Sequence, residues 1–187
     1  MFPAEAQLVA RLTGLGRTVA TAESLTAGLV AATIADVPGA SAVLRGGAVT
    51  YATDTKASVL GVDPDLLAAG GPVQAEVAEQ MAAGARRVFG ADYGVATTGV
   101  AGPDPQGDAP VGLVFVAVAG PAGVRSVRLE LSGDRDRIRR RSAVEAIRLV
   151  LVSLSTEPTV DHAEDHTEDH AEGSREGGQH GTPRAAE

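Results

Sequence analysis

Leu113-Val114-Phe115-Val116-Ala117-Val118-Ala119 is the stretch on which the fold reading turns. It is an almost continuous apolar run of strand length, the pattern of a strand covered on both faces. After Gly120-Pro121-Ala122-Gly123, residues 124–131 alternate and read as a second, more exposed strand. Two strands in direct succession make part of the sheet antiparallel. Upstream, Tyr93 to Thr97 reads as another strand, preceded by a helix over Gln74 to Phe89 with Val77, Met81, Ala85 and Val88 on one face. Further back, Thr18 to Ala22 and Leu44 to Tyr51 read as strands. Ala4 to Leu15, with Leu8, Leu12 and Leu15 at helical spacing, and Ala27 to Ala35 read as helices. A short helical piece runs through Lys56 and Leu60, and Asp63 with Pro64 opens another. Residues 134–154 form the last helix, with Val144, Ile147, Leu151 and Leu154 inward. Strands interleaved with helices give a single-domain, layered α/β/α sandwich with a mixed sheet.

Two segments of unlike character are expected: a single folded domain over 1–156 and an acidic tail over 157–187. The tail carries three four-residue units, from Asp161-His162-Ala163-Glu164 to Asp169-His170-Ala171-Glu172, and a Gly-rich end. Such a charged segment without apolar residues is expected to be disordered. It holds nine acidic and two basic residues, so most of the net charge of -8 belongs to it. The near-neutral body offers no basic face for nucleic acid, and aromatics at 3% leave few platforms for stacked bases. No cysteine is present, which excludes disulfides and thiolate chemistry. All four histidines lie in the tail, so neither a metal site nor a Ser-His-Asp triad is expected in the body. The beginning of the chain lacks a signal-peptide pattern, and the longest apolar stretch, Leu25 to Ala35, is too short to span a bilayer. A cytoplasmic protein without membrane contact is the expectation.

Of 16 basic residues, 15 are arginine, and Lys56 alone is not. A guanidinium stays protonated, whereas a buried lysine amine can lose its proton and serve as a base. Chance survival of one lysine is the plain alternative. Four constellations bear on the choice. Thr21-Ala22-Glu23-Ser24-Leu25-Thr26-Ala27-Gly28 sits at a strand-to-helix junction. There a serine could be a nucleophile beside helix N-terminal amides, or Ser24 or Thr26 could merely cap the helix. Gly46 to Lys56 delivers Tyr51, one of two tyrosines, close to the lone lysine. A lysine base would need its pKa lowered from about 10.4 toward 7–8, about 4 kcal/mol, by burial and neighbouring cations. Thr97-Thr98-Gly99-Val100-Ala101-Gly102-Pro103-Asp104 is a Gly/Pro loop leaving a strand, either a turn or a substrate cradle. Gly133 to Arg141 places five arginines in the first turns of a helix, where the dipole disfavours cations. A bound anion would account for them, as would solvation together with Asp134 and Asp136.

In order and spacing, Ala22-Glu23-Ser24-Leu25-Thr26-Ala27-Gly28, Val49-Thr50-Tyr51 through Lys56, Thr98-Gly99-Val100-Ala101-Gly102-Pro103 and Gly133-Asp134-Arg135 resemble the C-terminal domain of competence/damage-inducible CinA proteins. That family also occurs as a stand-alone nicotinamide-nucleotide amidase. The resemblance covers nearly all of residues 5–155. It implies hydrolysis of the carboxamide of nicotinamide mononucleotide to nicotinic acid mononucleotide and ammonia, without metal or organic cofactor. It makes Ser24 the nucleophile, Lys56 the base and Tyr51 an aid to proton transfer or positioning. Thr26, Gly28, Thr98, Gly99, Gly102 and one of Arg139 and Arg140 would contact the pyridine mononucleotide, in a protein expected to be a homo-oligomer. Two departures stand out. The family's usual Cys-Thr-Gly-Gly after the serine is Leu25-Thr26-Ala27-Gly28 here, and its Ser-Asn-Glu-Ala before the lysine is Ala52-Thr53-Asp54-Thr55. The first places a Cβ at Ala27 where the oxyanion-binding backbone would need room. A non-catalytic nucleotide- or partner-binding module connected with competence and damage responses is the competing reading.

Overall fold

In the computed structural model, residues 3–156 are described; the tail expected to be disordered lies outside them. Five strands, β1 (Val19–Glu23), β2 (Leu44–Val49), β3 (Tyr93–Gly99), β4 (Leu113–Gly120) and β5 (Gly123–Glu130), form one sheet in the order β2-β1-β3-β4-β5. β1 runs parallel to both β2 and β3, and β3, β4 and β5 are successively antiparallel. The sheet is therefore mixed. Helices α1 (Ala4–Gly14), α2 (Leu29–Ala35) and α6 (Arg135–Ser155) pack together on one side of it. Helices α3 (Thr53–Leu60), α4 (Pro64–Gly70) and α5 (Ala75–Phe89) lie on the other. Three layers result, as the interleaved pattern predicts.

The pleat sorts side chains by size. Tyr93, Val95, Val114, Val116 and Val118 join the core under α1, α2 and α6. The alternate positions Ala20, Ala22, Ala96, Ala117 and Ala119 face α5. An alanine-lined face lets α5 lie very close to the sheet: a Cβ on Gly94 would collide with the Ala82 carbonyl oxygen. Close approach of small residues is how a chain with 3% aromatics still reaches a dense interior.

Several sequence expectations shift. Val88, expected on the buried face of α5, is 47% exposed, and Phe89 packs against the core instead. Leu15 falls after α1 has ended and is exposed. Val144 is half-buried. The second helix begins at Leu29, not Ala27, because residues 24–28 form a turn in which Ala27 and Gly28 both have positive φ, 50° and 95°. Asp63 caps α4 through the Asp65 N–H, with Pro64 at the first helical position. Asp134 caps α6 through the Arg137 N–H.

Candidate active site

The three parallel strands end on the same side of the sheet, and each hands over to a segment that carries chemistry. β1 ends at Glu23, followed directly by Ser24. β2 ends at Val49, and Thr50 and Tyr51 lead into α3, which carries Lys56. β3 ends at Gly99 and opens the loop through Gly102. Ser24, Leu25, Tyr51, Gly99, Gly102 and Arg135 line a shared cleft, together with Asp104 and Gln106.

Lys56 is completely buried, and its Nζ lies 3.1 Å from Ser24 Oγ, 2.6 Å from the Thr50 carbonyl oxygen and 3.4 Å from that of Tyr51. Burial lowers its pKa from 10.5 to about 8, and Asp54 in the same helix pulls the other way. The neighbouring cations expected from the sequence take no part; the lowering comes from lost solvation. The hydrogen-bond inventory then orients the pair. A neutral amine has two N–H donors and one lone pair. Both carbonyls can only accept, so they take the two N–H groups. Among these three neighbours only the Ser24 hydroxyl can donate to the lone pair. The uncharged form of Lys56 is thus arranged to draw the proton of Ser24.

The caps differ from either sequence alternative. Neither Ser24 nor Thr26 caps α2. The buried carboxylate of Glu23 does so, accepting from the N–H groups of Gly28 (2.8 Å), Val30 (3.0 Å) and Ala31 (2.9 Å). Those helix-N-terminal amides, expected to serve an oxyanion, are consumed. The Thr26 hydroxyl instead meets that of Thr97 at 2.7 Å in the interior. The Ala27 side chain is exposed, so its Cβ points into solvent and does not crowd the turn.

Tyr51 is 55% exposed. Its hydroxyl accepts from Arg135 Nη2 at 2.9 Å, while its carbonyl faces Lys56. Of the residues assigned to substrate, Gly99 and Gly102 line the cleft. Thr98 donates its hydroxyl hydrogen bond to the Pro72 carbonyl, and the Gly28 N–H is held by Glu23. Arg139 donates to the carbonyls of Leu25 (2.9 Å) and Thr26 (2.8 Å), bracing the turn from behind. Arg140 is exposed and paired with Asp136. The arginine that lines the cleft is Arg135, which also donates to the Gly102 carbonyl. Sequence reasoning passed over Arg135 and Glu23, although both stand inside quoted motifs, Gly133-Asp134-Arg135 and Ala22-Glu23-Ser24. A carboxylate closing a strand that is otherwise free of charge was the available signal for the second. Among the described residues, no group of three His, Cys, Asp or Glu side chains could hold a metal, and no helix is long and apolar enough to cross a membrane.

These features define a three-layer α/β protein with a buried lysine–serine pair where its parallel strands end. The chain belongs to the CinA C-terminal domain family, whose model matches residues 2–154. It is 55% identical over 141 residues to a CinA-like protein of Frankia casuarinae, covering 75% of this chain and 33% of that one. It is 51% identical over 148 residues to a CinA-like protein of Anaeromyxobacter, covering 79% and 36%. The chain thus spans about a third of the length of these relatives. Two solved structures match it over nearly their whole length. The competence/damage inducible protein CihA from Agrobacterium tumefaciens has a TM-score of 0.75 at 37% identity, covering 83% of this chain and 98% of its own. A CinA superfamily protein from Klebsiella pneumoniae has a TM-score of 0.78 at 26% identity, covering 81% and 96%.

Proposed function

We propose that the chain hydrolyses the carboxamide of nicotinamide mononucleotide, giving nicotinic acid mononucleotide and ammonia. The observation that carries this reading is the fully buried Lys56 Nζ placed 3.1 Å from Ser24 Oγ, with a pKa near 8. A serine is a weak nucleophile until a base takes its proton, and a lysine kept partly neutral by burial is such a base.

The reaction follows from that pair. Ser24 Oγ bonds to the carboxamide carbon as its proton moves to Lys56 Nζ. The tetrahedral intermediate collapses: the C–N bond breaks, Lys56 returns the proton to the leaving nitrogen, and ammonia departs. A water then attacks the Ser24 ester while Lys56 takes its proton. The C–O bond to Ser24 breaks, the serine oxygen recovers a proton, and the carboxylate product leaves. The choice of a pyridine mononucleotide rests on the family resemblance and on Arg135, whose guanidinium lines the cleft and suits a phosphate.

The test is ammonia release from nicotinamide mononucleotide by purified protein, with the Ser24→Ala variant as background. Release from the wild type at rates well above the variant supports the reading. If both give the same trace, the amidase reading fails. Binding of the mononucleotide by calorimetry without turnover would instead identify a binding module.

A further inference from the structure

Glu23 is 1% exposed, and among the described residues no cation forms an ion pair with its carboxylate. Burying a carboxylate is costly, and a helix of seven residues does not require one. A Ser, Thr or Asp at the usual capping position would satisfy one amide next to it. Here the cap comes instead from the far side of the nucleophile turn. The bonds from Glu23 to Gly28, Val30 and Ala31 close a loop around Ser24. The Glu23 backbone also ties in the base: its carbonyl accepts from Thr50 N–H at 2.9 Å, and the Thr50 carbonyl holds Lys56.

The amides that this arrangement leaves free are informative. Ala27 N–H donates to the Ser24 carbonyl across the turn, and Arg139 takes the carbonyls of Leu25 and Thr26. In a trans peptide the C=O and the following N–H point in opposite directions. The Leu25 N–H therefore points away from the turn interior, and the Thr26 N–H away from Arg139. Neither donates to any acceptor among the described residues. Leu25 immediately follows the serine and lines the cleft.

We propose that Glu23 is a positioning residue, fixing the turn over residues 24–28 so that the Leu25 N–H, at the cleft, stands free as a donor to the oxyanion formed on Ser24. The inference rests on the serine–lysine reading above. A displaced catalytic group costs about 10²-fold for an error of roughly 1 Å, and one oxyanion donor is worth about 10²–10³ in rate. Glu23→Gln keeps size and one acceptor oxygen but turns an NH2 toward a backbone donor.

The experiment measures two rates across pH for wild type and Glu23→Gln. One is ammonia release from nicotinamide mononucleotide. The other is acylation of Ser24 by p-nitrophenyl acetate, followed by mass spectrometry. The expected result is a fall of about tenfold to hundredfold in both limiting rates, with KM nearly unchanged and the pH midpoint still near 8. An unchanged midpoint separates this role from damage to the Lys56 site. Where Glu23→Gln does not fold, Glu23→Asp keeps the charge with a shorter reach and should show the same pattern. Normal acylation in the variant overturns the proposal, as does a loss accompanied by a shifted midpoint. Failure of both variants to fold shows a structural role only and overturns it too. If wild type is acylated at Ser24 yet releases no ammonia, the substrate reading fails while the acylation comparison still decides the role of Glu23. If wild type is not acylated at Ser24, both fall.

Discussion

The parallel and antiparallel halves of the sheet are built for different tasks. Eight polar or charged side chains are buried among the described residues, and seven of them belong to the parallel half: Thr21, Glu23, Thr26, Thr50, Lys56, Thr97 and Thr98, on β1, β3 or segments that follow β1 and β2. The eighth, Ser142, lies on α6 and donates to its own helix. Strands β4 and β5 contribute none. In the parallel half the three C-terminal ends fall on one side, so the segments leaving them diverge and leave a crevice. In the antiparallel half a tight turn at Pro121 and Ala122 returns the chain at once, and the hollow beside it, lined by Tyr93, Gly120, Val124, Arg125 and Ser153, holds none of these seven side chains. The lesson is directional: chain polarity decides where interior polar groups can be spent on chemistry, and the hairpin stiffens the platform.

The largest effects should therefore come from the parallel half. Ser24→Ala and Lys56→Arg are each expected to lower turnover by about 10²–10⁴, the arginine because it keeps charge but never becomes neutral. The double variant should be little worse than either single one, since the two groups act as a unit. Ser126→Ala on β5, which loses a hydrogen bond to Glu79, should leave turnover within about twofold. Steady-state ammonia release measures all four. A large loss at Ser126 would break the division between halves.

Lys56 also gives the comparison a pH signature. Its native pKa of about 8 lies below the 10.5 of the unfolded chain, so the native state releases its proton first. The stability penalty is absent above pH 10.5, grows as pH falls toward 8, and is constant below that. Its full size is about 3 kcal/mol. Turnover should rise toward a plateau as pH passes through about 8. Lys56→Met should abolish activity and remove the rise in stability between pH 8 and 10.5, read by denaturant unfolding across that range. A variant that keeps the slope would show that another group carries it.

Arg135→Ala should act on binding more than on chemistry. Loss of a charge-assisted contact of about 1.5–3 kcal/mol corresponds to a KM raised about tenfold or more. The limiting turnover should change less. A comparable rise from Arg140→Ala, which removes an exposed arginine paired with Asp136, would contradict this division of labour.

The layers and the antiparallel succession of β4 and β5 were legible because periodicity is local: the apolar run at Leu113 and the alternation after it need no knowledge of distant partners. The lone lysine was legible as an unusual group because composition singled it out, and it lies buried beside Ser24. What sequence could not supply was long-range geometry. Arg139 and Arg135 stand four apart on one helix, so spacing cannot say which reaches the cleft and which reaches the Leu25 and Thr26 carbonyls. The role of Glu23 was hidden for a related reason. Short-range capping rules look for a cap beside the helix, and this carboxylate reaches amides five to eight residues ahead. Val88 was misplaced because the buried stripe of α5 passes through Gly84 and Ala85 and then on to Phe89.

The smallest effect gives the finest test of the two halves, because it compares backbone conformation at matched positions. Ala27 holds φ at 50°, a region where a Cβ costs about 1–2 kcal/mol. Replacing it with glycine relieves that strain but frees the unfolded chain, which costs about 0.4–1 kcal/mol. Its side chain is exposed, so no packing is lost. Ala27→Gly should thus gain about 0.5–1 kcal/mol, visible in denaturant unfolding, with turnover unchanged because the Ala27 N–H still reaches the Ser24 carbonyl. The reverse change tells the halves apart. Gly28 and Gly123 have φ of 95° and 118°, and neither faces a close neighbour that a Cβ would strike. Alanine at either should cost stability through backbone strain alone. At Gly123, in the hairpin turn, turnover of the folded fraction should not move. At Gly28 it should fall as well, because this N–H is one of the three that Glu23 holds, and a rotated peptide there loosens the turn that carries Ser24. Equal turnover in the two variants would show that the Ser24 turn tolerates backbone strain as freely as the hairpin does, and the functional contrast between the halves would then stop at the side chains.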